Sequence, residues 1–298
     1  MSPCIVYLLL PLVSLLGADD AARVVVKVNG TAITAGDLAF TMATRNIKPE
    51  DRAAQEPKLI EELIDRQVVR EFLARRKIAP PADELAYQIQ VAEDVIKKQG
   101  ADPAALLPKL GYTPERLKSE LGLPLAWQVY ARQTITLPQT GEYFERHRAE
   151  LDGTRVRVRQ IFLKLPAKPD QADIAAKTNR LKDLKAQIAS GKISFQDAAK
   201  RYSESPTREQ GGEVGLIGFR GKLPADVSRA AFALKANEIS DPVVSPFGVH
   251  LVQVTERIAG DLSLEDVRPQ IFERLSERLW ADTVSRERQS AIIETRER

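Results

Sequence analysis

Apolar residues recur at helical spacing through most of the first 135 residues. Between Pro57 and Lys77 they fall on one broad face, which predicts a helix that buries this face. The residues concerned are Leu59, Ile60, Leu63, Ile64, Val68, Phe72 and Leu73. Further helices are expected over residues 83–99, 103–110 and 123–135, with another starting at Thr113, a cap followed by Pro114. These helices supply the partners that the apolar face requires.

A strand pair is predicted ahead of these helices. Arg23–Val28 reads as a strand, and Asn29-Gly30 is a turn dipeptide. Thr34 with Asp37 then forms a capping box that opens the first helix. The first part of the chain is therefore expected to be a helical unit that follows one strand pair.

The pattern changes to strict alternation between Arg155 and Lys164, which predicts a strand. Val156, Val158, Gln160 and Phe162 share one of its faces. The opposite face carries three arginines, which fit an anion site, a solvated strand end or an interdomain face. Helices are predicted over residues 170–190 and 226–234, and a further helix begins at Ser194, with Asp197 completing its capping box. Strands are predicted over residues 243–245 and 249–257. The resulting fold class is α+β, a sheet wrapped by helices.

Beyond Asp261 the helical period returns. Apolar residues at three- or four-residue steps predict a C-terminal helix of about thirty residues with one apolar stripe: Leu264, Val267, Ile271, Leu275 and Leu279. Such a stripe must be buried.

The N-terminus predicts export. Ile5–Leu16 has the length of a signal-peptide core and is short for a membrane span, and Leu16-Gly17-Ala18 offers a small residue for cleavage. An uncleaved anchor and a mistaken start codon are the alternatives, since no Lys or Arg precedes the run. The single cysteine, Cys4, would leave with the signal, which suits an oxidising compartment. A net charge of +3 gives no indication of nucleic-acid binding.

The motifs that carry chemistry lie between residues 195 and 250. A short helix, 195–202, leads into the loop Ser203-Glu204-Ser205-Pro206. The element Gly211-Gly212-Glu213-Val214-Gly215 follows, and Ser245-Pro246-Phe247-Gly248-Val249-His250 comes last. Their order and spacing resemble the parvulin family of peptidyl-prolyl cis-trans isomerases. The opening strand pair and helices resemble the N-terminal domain of SurA-type folding factors, although a bundle without any ligand fits that segment equally well.

The parvulin resemblance implies a set of site residues. His250, Ser205 and Gln160 take the catalytic positions, and the substrate-binding positions are Phe247, Leu223, Val227, Ser245 and Val214. Gln160 stands where the family has a second histidine, Ser205 where it has Cys or Asp, Leu223 where it has Met, and Val227 where a Phe walls the proline pocket. His250 fits a catalytic-site role and a structural role about equally, and Phe247 fits pocket and core equally. A loosened pocket and weak activity are expected.

No metal, cofactor or phosphate site is expected. Two histidines far apart and no mature cysteine leave only carboxylates as metal ligands. No phosphate-binding glycine loop or nucleophile elbow is present. His147 lies among Glu145, Arg146 and Arg148, which favours a solvated surface histidine.

The sequence as a whole favours an isomerase and folding chaperone for exported proteins, in the periplasm or another extracytoplasmic compartment. Its partners would be unfolded or nascent polypeptides with X-Pro bonds. A non-catalytic binding module with a degenerate parvulin domain is the alternative, and a subunit of an envelope assembly is a third. The expected division is a signal at 1–18, a SurA-like helical domain at 19–137, a linker helix at 138–151 and a parvulin-like domain at 152–258. The helix in 259–298 would then pack back on the helical domain, as the SurA resemblance implies.

Overall fold

A computed structural model of the chain describes residues 18–98, 100–109 and 113–295. The expected signal peptide, except for Ala18, lies outside the described residues. Within those ranges, no helix is both long enough and apolar enough to cross a membrane. The chain divides into two compact units, one running to Thr136 and resuming at Phe272, the other spanning Leu137–Ile271.

The first unit opens with a short strand pair and continues with helices. Its elements up to residue 136 are α1 (Ala18–Ala22), β1 (Val24–Val28), β2 (Thr31–Thr34), α2 (Ala35–Thr44), α3 (Arg52–Arg75), α4 (Ala82–Lys98), α5 (Pro103–Lys109) and α6 (Pro114–Thr134). The expected capping box is present, because Asp37 accepts from the Thr34 backbone N–H at 2.7 Å and the Thr34 hydroxyl accepts from the Asp37 N–H. The Thr113 hydroxyl likewise caps α6 by accepting from Arg116 N–H at 3.2 Å.

Two helices run through prolines where shorter helices were expected. Helix α3 begins at Arg52, ahead of Pro57, and α6 is a single helix from Pro114 to Thr134 with Pro124 inside it. An internal proline removes one backbone hydrogen bond. The neighbouring apolar side chains offset this loss, since Leu59 and Leu123 are buried.

The apolar face of α3 forms the core of the first unit. Leu59, Leu63, Val68 and Phe72 pack there with Trp127 of α6. Trp280, from the resumed segment, lies edge-on to Trp127 with ring centroids 4.9 Å apart. The resumed segment therefore completes this core.

The second unit is an antiparallel sheet with helices on it. Its elements are α7 (Leu137–Arg146), α8 (Arg148–Leu151), β3 (Arg155–Lys164), α9 (Gln171–Ala189), α10 (Phe195–Tyr202), β4 (Glu213–Ile217), α11 (Ala225–Ala233), β5 (Val243–Ser245) and β6 (Gly248–Ile258). The strand order is β4-β3-β6-β5. The single linker helix expected over residues 138–151 is two helices in the structure, α7 and α8, separated at His147.

Helix α12 (Leu264–Arg288) crosses the boundary between the units, and β7 (Ile293–Thr295) follows it. The predicted apolar stripe is divided at this boundary. Val267 and Ile271 belong to the second unit, whereas Leu279 packs in the core of the first. The expected fold class is confirmed: an α+β chain in which a sheet-and-helix unit is inserted into a helical unit. Strand β7 was not expected from the sequence, and it pairs antiparallel with β1.

Candidate active site

The site lies on the part of the β-sheet that helix α11 leaves uncovered. One face, with Ile161, Leu163, Val249 and Leu251, is buried with residues of α9 and α10. On the other face, a hydrophobic cluster that includes residues of α11 contains the buried side chains of Val156, Val158, Val252 and Val254. Because side chains alternate along a strand, Gln160, Phe162 and His250 continue this second face beyond Val158 and Val252.

Phe162 and His250 are cross-strand partners. Their rings stack with centroids 4.6 Å apart and an interplanar angle of 30°. His250 is 4% exposed, and this burial lowers the pKa of its imidazole to about 4. The ring is therefore neutral at pH 7, and one of its nitrogens carries the only ring N–H proton.

A chain of hydrogen bonds joins the three residues expected to be catalytic. His250 Nδ1 lies 3.2 Å from Gln160 Oε1, and Gln160 Nε2 donates to Ser205 Oγ at 3.3 Å. At the other side of the ring, His250 Nε2 lies 2.8 Å from Ser245 Oγ. The structure thus brings together four predicted residues from β3, β5, β6 and the loop after α10.

The loop after α10 is held against strand β3 at both ends. Ser203 Oγ accepts from Phe162 N–H at 3.1 Å, and Glu204 N–H donates to Phe162 O at 2.7 Å. At the glycine end, Gln160 N–H donates to Gly212 O at 2.9 Å. Ser205 is 3% exposed and lies between these anchors. Its hydroxyl position is consequently fixed by the strand that carries Gln160.

Glycine at position 212 is required by this close approach. Its φ is +81°, a conformation that L side chains rarely adopt, and a Cβ there would lie 2.3 Å from the carbonyl oxygen of Gln160. The glycine pair predicted from the sequence therefore serves backbone contact beside the site.

Phe247 is the exposed apolar residue of the site. It lies in the turn between β5 and β6 and is 66% exposed, so it belongs to the surface and not to the core. Its N–H donates to Ser245 Oγ at 3.2 Å, and its carbonyl accepts from Leu165 N–H at 3.3 Å. The turn thus holds the backbone of Phe247 against Ser245, the residue that contacts His250.

The remaining predicted substrate-binding residues lie with the hydrophobic cluster under α11. Val227 has no exposed surface and lies inside the core. Leu223 and Val214 are half-buried and pack against the same cluster. Helix α11 turns the Val227 side chain toward the sheet, and its contact with a proline ring stays a prediction.

Two site residues were not identified from the sequence. Thr207 lies 3.1 Å from Ser205, measured between their hydroxyl oxygens, and its N–H also points at Ser205 Oγ at 3.3 Å. Ser203 accepts from both Phe162 and Ser205 N–H groups. A run of hydroxyl residues after a helix is the only signal that could have indicated them, and such runs are common in turns.

Two of the three arginines of β3 pair with carboxylates on neighbouring strands. Arg157 contacts Glu256 at 2.8 Å, and Arg159 contacts Glu213 at 3.0 Å. These ion pairs argue against an open anion site at Arg157 and Arg159. His147 stacks on Tyr143 and lies 3.2 Å from Glu150, outside this sheet. No group of three or more His, Cys, Asp or Glu that could hold a metal occurs among the described residues.

Residues 161–256 match the family described as rotamase, the PPIC-type PPIase domain. The matched segment begins and ends on the two long strands that carry Gln160, Phe162 and His250. Residues 161–256 are a parvulin domain. The recognition of this family from the sequence is confirmed.

Similar proteins extend the comparison beyond the parvulin domain. Chaperone SurA of Bordetella parapertussis is 35% identical over 149 residues, which are 48% of this chain and 28% of that protein. Chaperone SurA of Thiobacillus denitrificans is 36% identical over 152 residues, 50% of this chain and 34% of that protein. The chain therefore spans about a third of the length of these relatives.

A solved structure supports the fold over nearly the whole chain. The peptidylprolyl isomerase PrsA from Bacillus cereus aligns with 90% of this chain and 92% of its own, at a TM-score of 0.51 and 19% identity. At that identity the likeness concerns the fold alone. It agrees with a parvulin domain inserted into a helical unit.

Proposed function

We propose that the protein is a peptidyl-prolyl cis-trans isomerase and that its parvulin domain carries the activity. The observation that supports this best is the hydrogen-bonded series Ser245, His250, Gln160 and Ser205, together with the exposed Phe247, whose backbone N–H donates to Ser245. The family match of residues 161–256 points to the same reaction.

The arrangement fits a non-covalent mechanism. Rotation about an X-Pro bond faces a barrier of about 18–20 kcal/mol because resonance gives the bond partial double-bond character. Both ring nitrogens of His250 are hydrogen-bonded within the site, and Ser205 Oγ has partners in Gln160 and Thr207. With His250 neutral and its nitrogens engaged, Ser205 lacks a base that could activate it as a nucleophile.

Catalysis would then rest on binding the twisted amide better than the planar one. Phe247 offers an apolar surface for the proline ring, and the buried polar series beside it offers fixed dipoles in place of water. A thousandfold acceleration requires only about 4 kcal/mol of such differential binding. An apolar contact and a few oriented hydrogen-bonding groups can supply that amount.

For the rest of the chain we propose a chaperone role with unfolded or nascent exported polypeptides as clients. The similarity to the SurA chaperones supports this role. The functional division would follow the expected boundaries, with residues 19–137 and 259–298 holding clients and residues 152–258 acting on their X-Pro bonds. Export by the segment 1–18 to the periplasm or a comparable compartment belongs to the same proposal.

Exchange spectroscopy on an X-Pro peptide with the full chain tests the isomerase. We expect acceleration by the wild-type protein and about a tenfold loss in His250→Asn, because the substitution interrupts the series at its centre. His147→Asn is the matched control, since it also removes a histidine but leaves the parvulin domain untouched. Equal rates in the two variants would contradict the proposed role of His250.

The non-catalytic binding module is the second candidate. The burial of Val227 favours it, because one wall expected for the proline pocket is absent from the surface. If the wild-type protein binds the peptide but leaves its isomerisation rate unchanged at high protein concentration, the binding module is the correct function.

A further inference from the structure

The hydrogen-bonded series extends one residue beyond the predicted site, to Thr207. Five side chains follow one another: Ser245, His250, Gln160, Ser205 and Thr207. The successive distances are 2.8, 3.2, 3.3 and 3.1 Å. Each of these side chains can both donate and accept, so the residue types alone do not fix the direction of the hydrogen bonds.

Two backbone groups and the neutral ring limit the possibilities. Thr207 N–H donates to Ser205 Oγ, and Phe247 N–H donates to Ser245 Oγ. A neutral imidazole has one donating and one accepting nitrogen. Under these limits only two arrangements satisfy every link of the series.

In the first arrangement the protons run from Ser245 toward Thr207. The Ser245 hydroxyl donates to His250 Nε2, and His250 Nδ1–H donates to Gln160 Oε1. The Gln160 amide then donates to Ser205 Oγ, whose own proton goes to Thr207 Oγ1. Thr207 is the terminal acceptor.

In the second arrangement every link is reversed. The Thr207 hydroxyl donates to Ser205, the Ser205 hydroxyl donates to the amide oxygen of Gln160, and the amide N–H donates to His250 Nδ1. His250 Nε2–H then donates to Ser245, whose proton goes to the carbonyl of Gly248 at 3.3 Å. The two arrangements differ in the tautomer of His250 and in the orientation of the Gln160 amide.

The structure has Oε1 of Gln160 toward His250 and Nε2 toward Ser205, which is the first arrangement. We propose that Thr207 is a positioning residue, whose hydroxyl oxygen accepts the Ser205 proton and thereby holds the Gln160 amide and the Nδ1–H tautomer of His250. The relevance of Thr207 to catalysis rests on the proposed isomerase function. Its effect on the tautomer of His250 does not depend on that function.

Removing the Thr207 hydroxyl should make the second arrangement more stable than the first. In Thr207→Val the first arrangement leaves the proton of the buried Ser205 hydroxyl without an acceptor. The second arrangement satisfies it through the amide oxygen of Gln160. An unsatisfied buried donor is costly, so we expect the Nδ1–H to Nε2–H tautomer ratio to fall by about tenfold or more. Thr207→Ser keeps the acceptor and should keep the wild-type tautomer.

Nitrogen-15 NMR of the imidazole rings in the labelled full chain at pH 7 measures this ratio. The chain has two histidines, so His147→Asn assigns the signals of His250. The proton-coupled nitrogen should be Nδ1 in the wild type and in Thr207→Ser, and Nε2 in Thr207→Val. Thr207→Ala lacks the same hydroxyl and replaces the valine variant if amide exchange shows that variant unfolded. An Nε2–H wild type, or an unchanged tautomer in the variants without the hydroxyl, would overturn the proposal.

The same substitution in a Ser205→Ala variant shows whether Thr207 acts through Ser205. In Ser205→Ala the series is interrupted, so adding Thr207→Val should leave the tautomer of that background unchanged. A further change there would mean that Thr207 acts by another route and would also overturn the proposal. Isomerase activity is measured on the same samples. A wild type that shows the predicted tautomers without activity rejects the proposed function and leaves the role of Thr207 standing.

Discussion

The indole N–H of Trp127 donates to the hydroxyl of Ser276 at 2.9 Å, across 149 residues of sequence. Trp280, one turn further along α12, lies edge-on to the same indole. The C-terminal segment of α12 is thus part of the core that the first helices form.

Trp280→Ala should lower the free energy of unfolding of the first unit by about 3 kcal/mol, because it removes a large aromatic side chain that packs in this core. Both tryptophans of the chain lie in this unit, so the fluorescence of Trp127 during urea unfolding reports on it specifically. Glu277→Ala, at an exposed position of the same helix, is the control and should change the stability by less than about 0.5 kcal/mol.

Thr283 provides a stabilising substitution. Its side chain has no exposed surface, and its hydroxyl has no hydrogen-bond partner among the described residues. Thr283→Val keeps the shape and removes the unsatisfied hydroxyl, so the free energy of unfolding should rise by about 1 kcal/mol. Thr283→Ser keeps the hydroxyl and loses the methyl group, and it should lower the stability in the same fluorescence measurement. A destabilised valine variant would mean that the hydroxyl is bonded after all.

Two glycines of the predicted motif allow the destabilisation caused by a close contact to be measured apart from that caused by backbone strain. Gly212→Ala should destabilise the parvulin domain by about 3 kcal/mol or more, because the new Cβ meets the Gln160 carbonyl. Gly215 has a φ of +88° with nothing within 4 Å of a Cβ, so Gly215→Ala should cost only the strain of about 1–2 kcal/mol. Hydrogen exchange of the β3 and β6 amides measures both. Equal losses would rule out the contact as the cause.

Val227→Phe tests whether this side chain lies in the core or faces the proline. Because Val227 is fully buried under α11, a larger ring should overpack the core and destabilise the parvulin domain by about 1–3 kcal/mol. Arg229→Phe adds the same ring at an exposed position of the same helix and should leave hydrogen exchange unchanged. A stable Val227→Phe variant with faster isomerisation would instead show that this position does face the proline.

The burial of His250 makes the parvulin domain sensitive to acid. The folded imidazole has a pKa of about 4 and the unfolded chain the ordinary value of 6.5, so the unfolded chain binds the proton more readily. The contribution to stability is complete above pH 6.5 and is lost as the pH falls toward 4. Between pH 7 and pH 5 the loss should be about 2 kcal/mol.

Hydrogen exchange of the sheet amides at the two pH values measures this loss after correction for the intrinsic exchange rates. His250→Asn lacks the titrating ring, so the difference between the variant and the wild type isolates its contribution. A wild type whose stability falls no more than that of the variant would contradict the low pKa.

Local signals in the sequence were sufficient for most of the fold. The alternation in β3 and the caps at Thr34, Thr113 and Ser194 depend on neighbouring residues, and the structure contains them. Strand β7 could not be predicted, because three exposed residues become a strand only through pairing with β1. Helix boundaries at Pro57 and Pro124 were misjudged for a related reason, since long-range burial outweighs the cost of one missing hydrogen bond.

The candidate site was predictable only where a motif defined it. Gln160, Ser205, Ser245 and His250 were placed by family spacing, and the structure brings them together. The orientation of α11 was not accessible from spacing: Val227 was assigned to the wall of the proline pocket, and its side chain is fully buried in the structure. Thr207 joins the series through a turn whose geometry no local pattern specifies.

Pairing of β7 with β1 affects the order in which the two units can form during synthesis. Ile292 N–H donates to the Asn29 side chain, 263 residues earlier, and Val28 pairs with Ile293. The strands and helices of the inserted unit are contiguous in the chain, so that unit can form while the ribosome is still adding residues beyond it. The helical unit cannot complete its sheet or its core until α12 and β7 have emerged. The apolar helix faces of this unit that α12 covers therefore stay exposed until the end of translation. The newly made protein is itself a candidate for chaperone assistance.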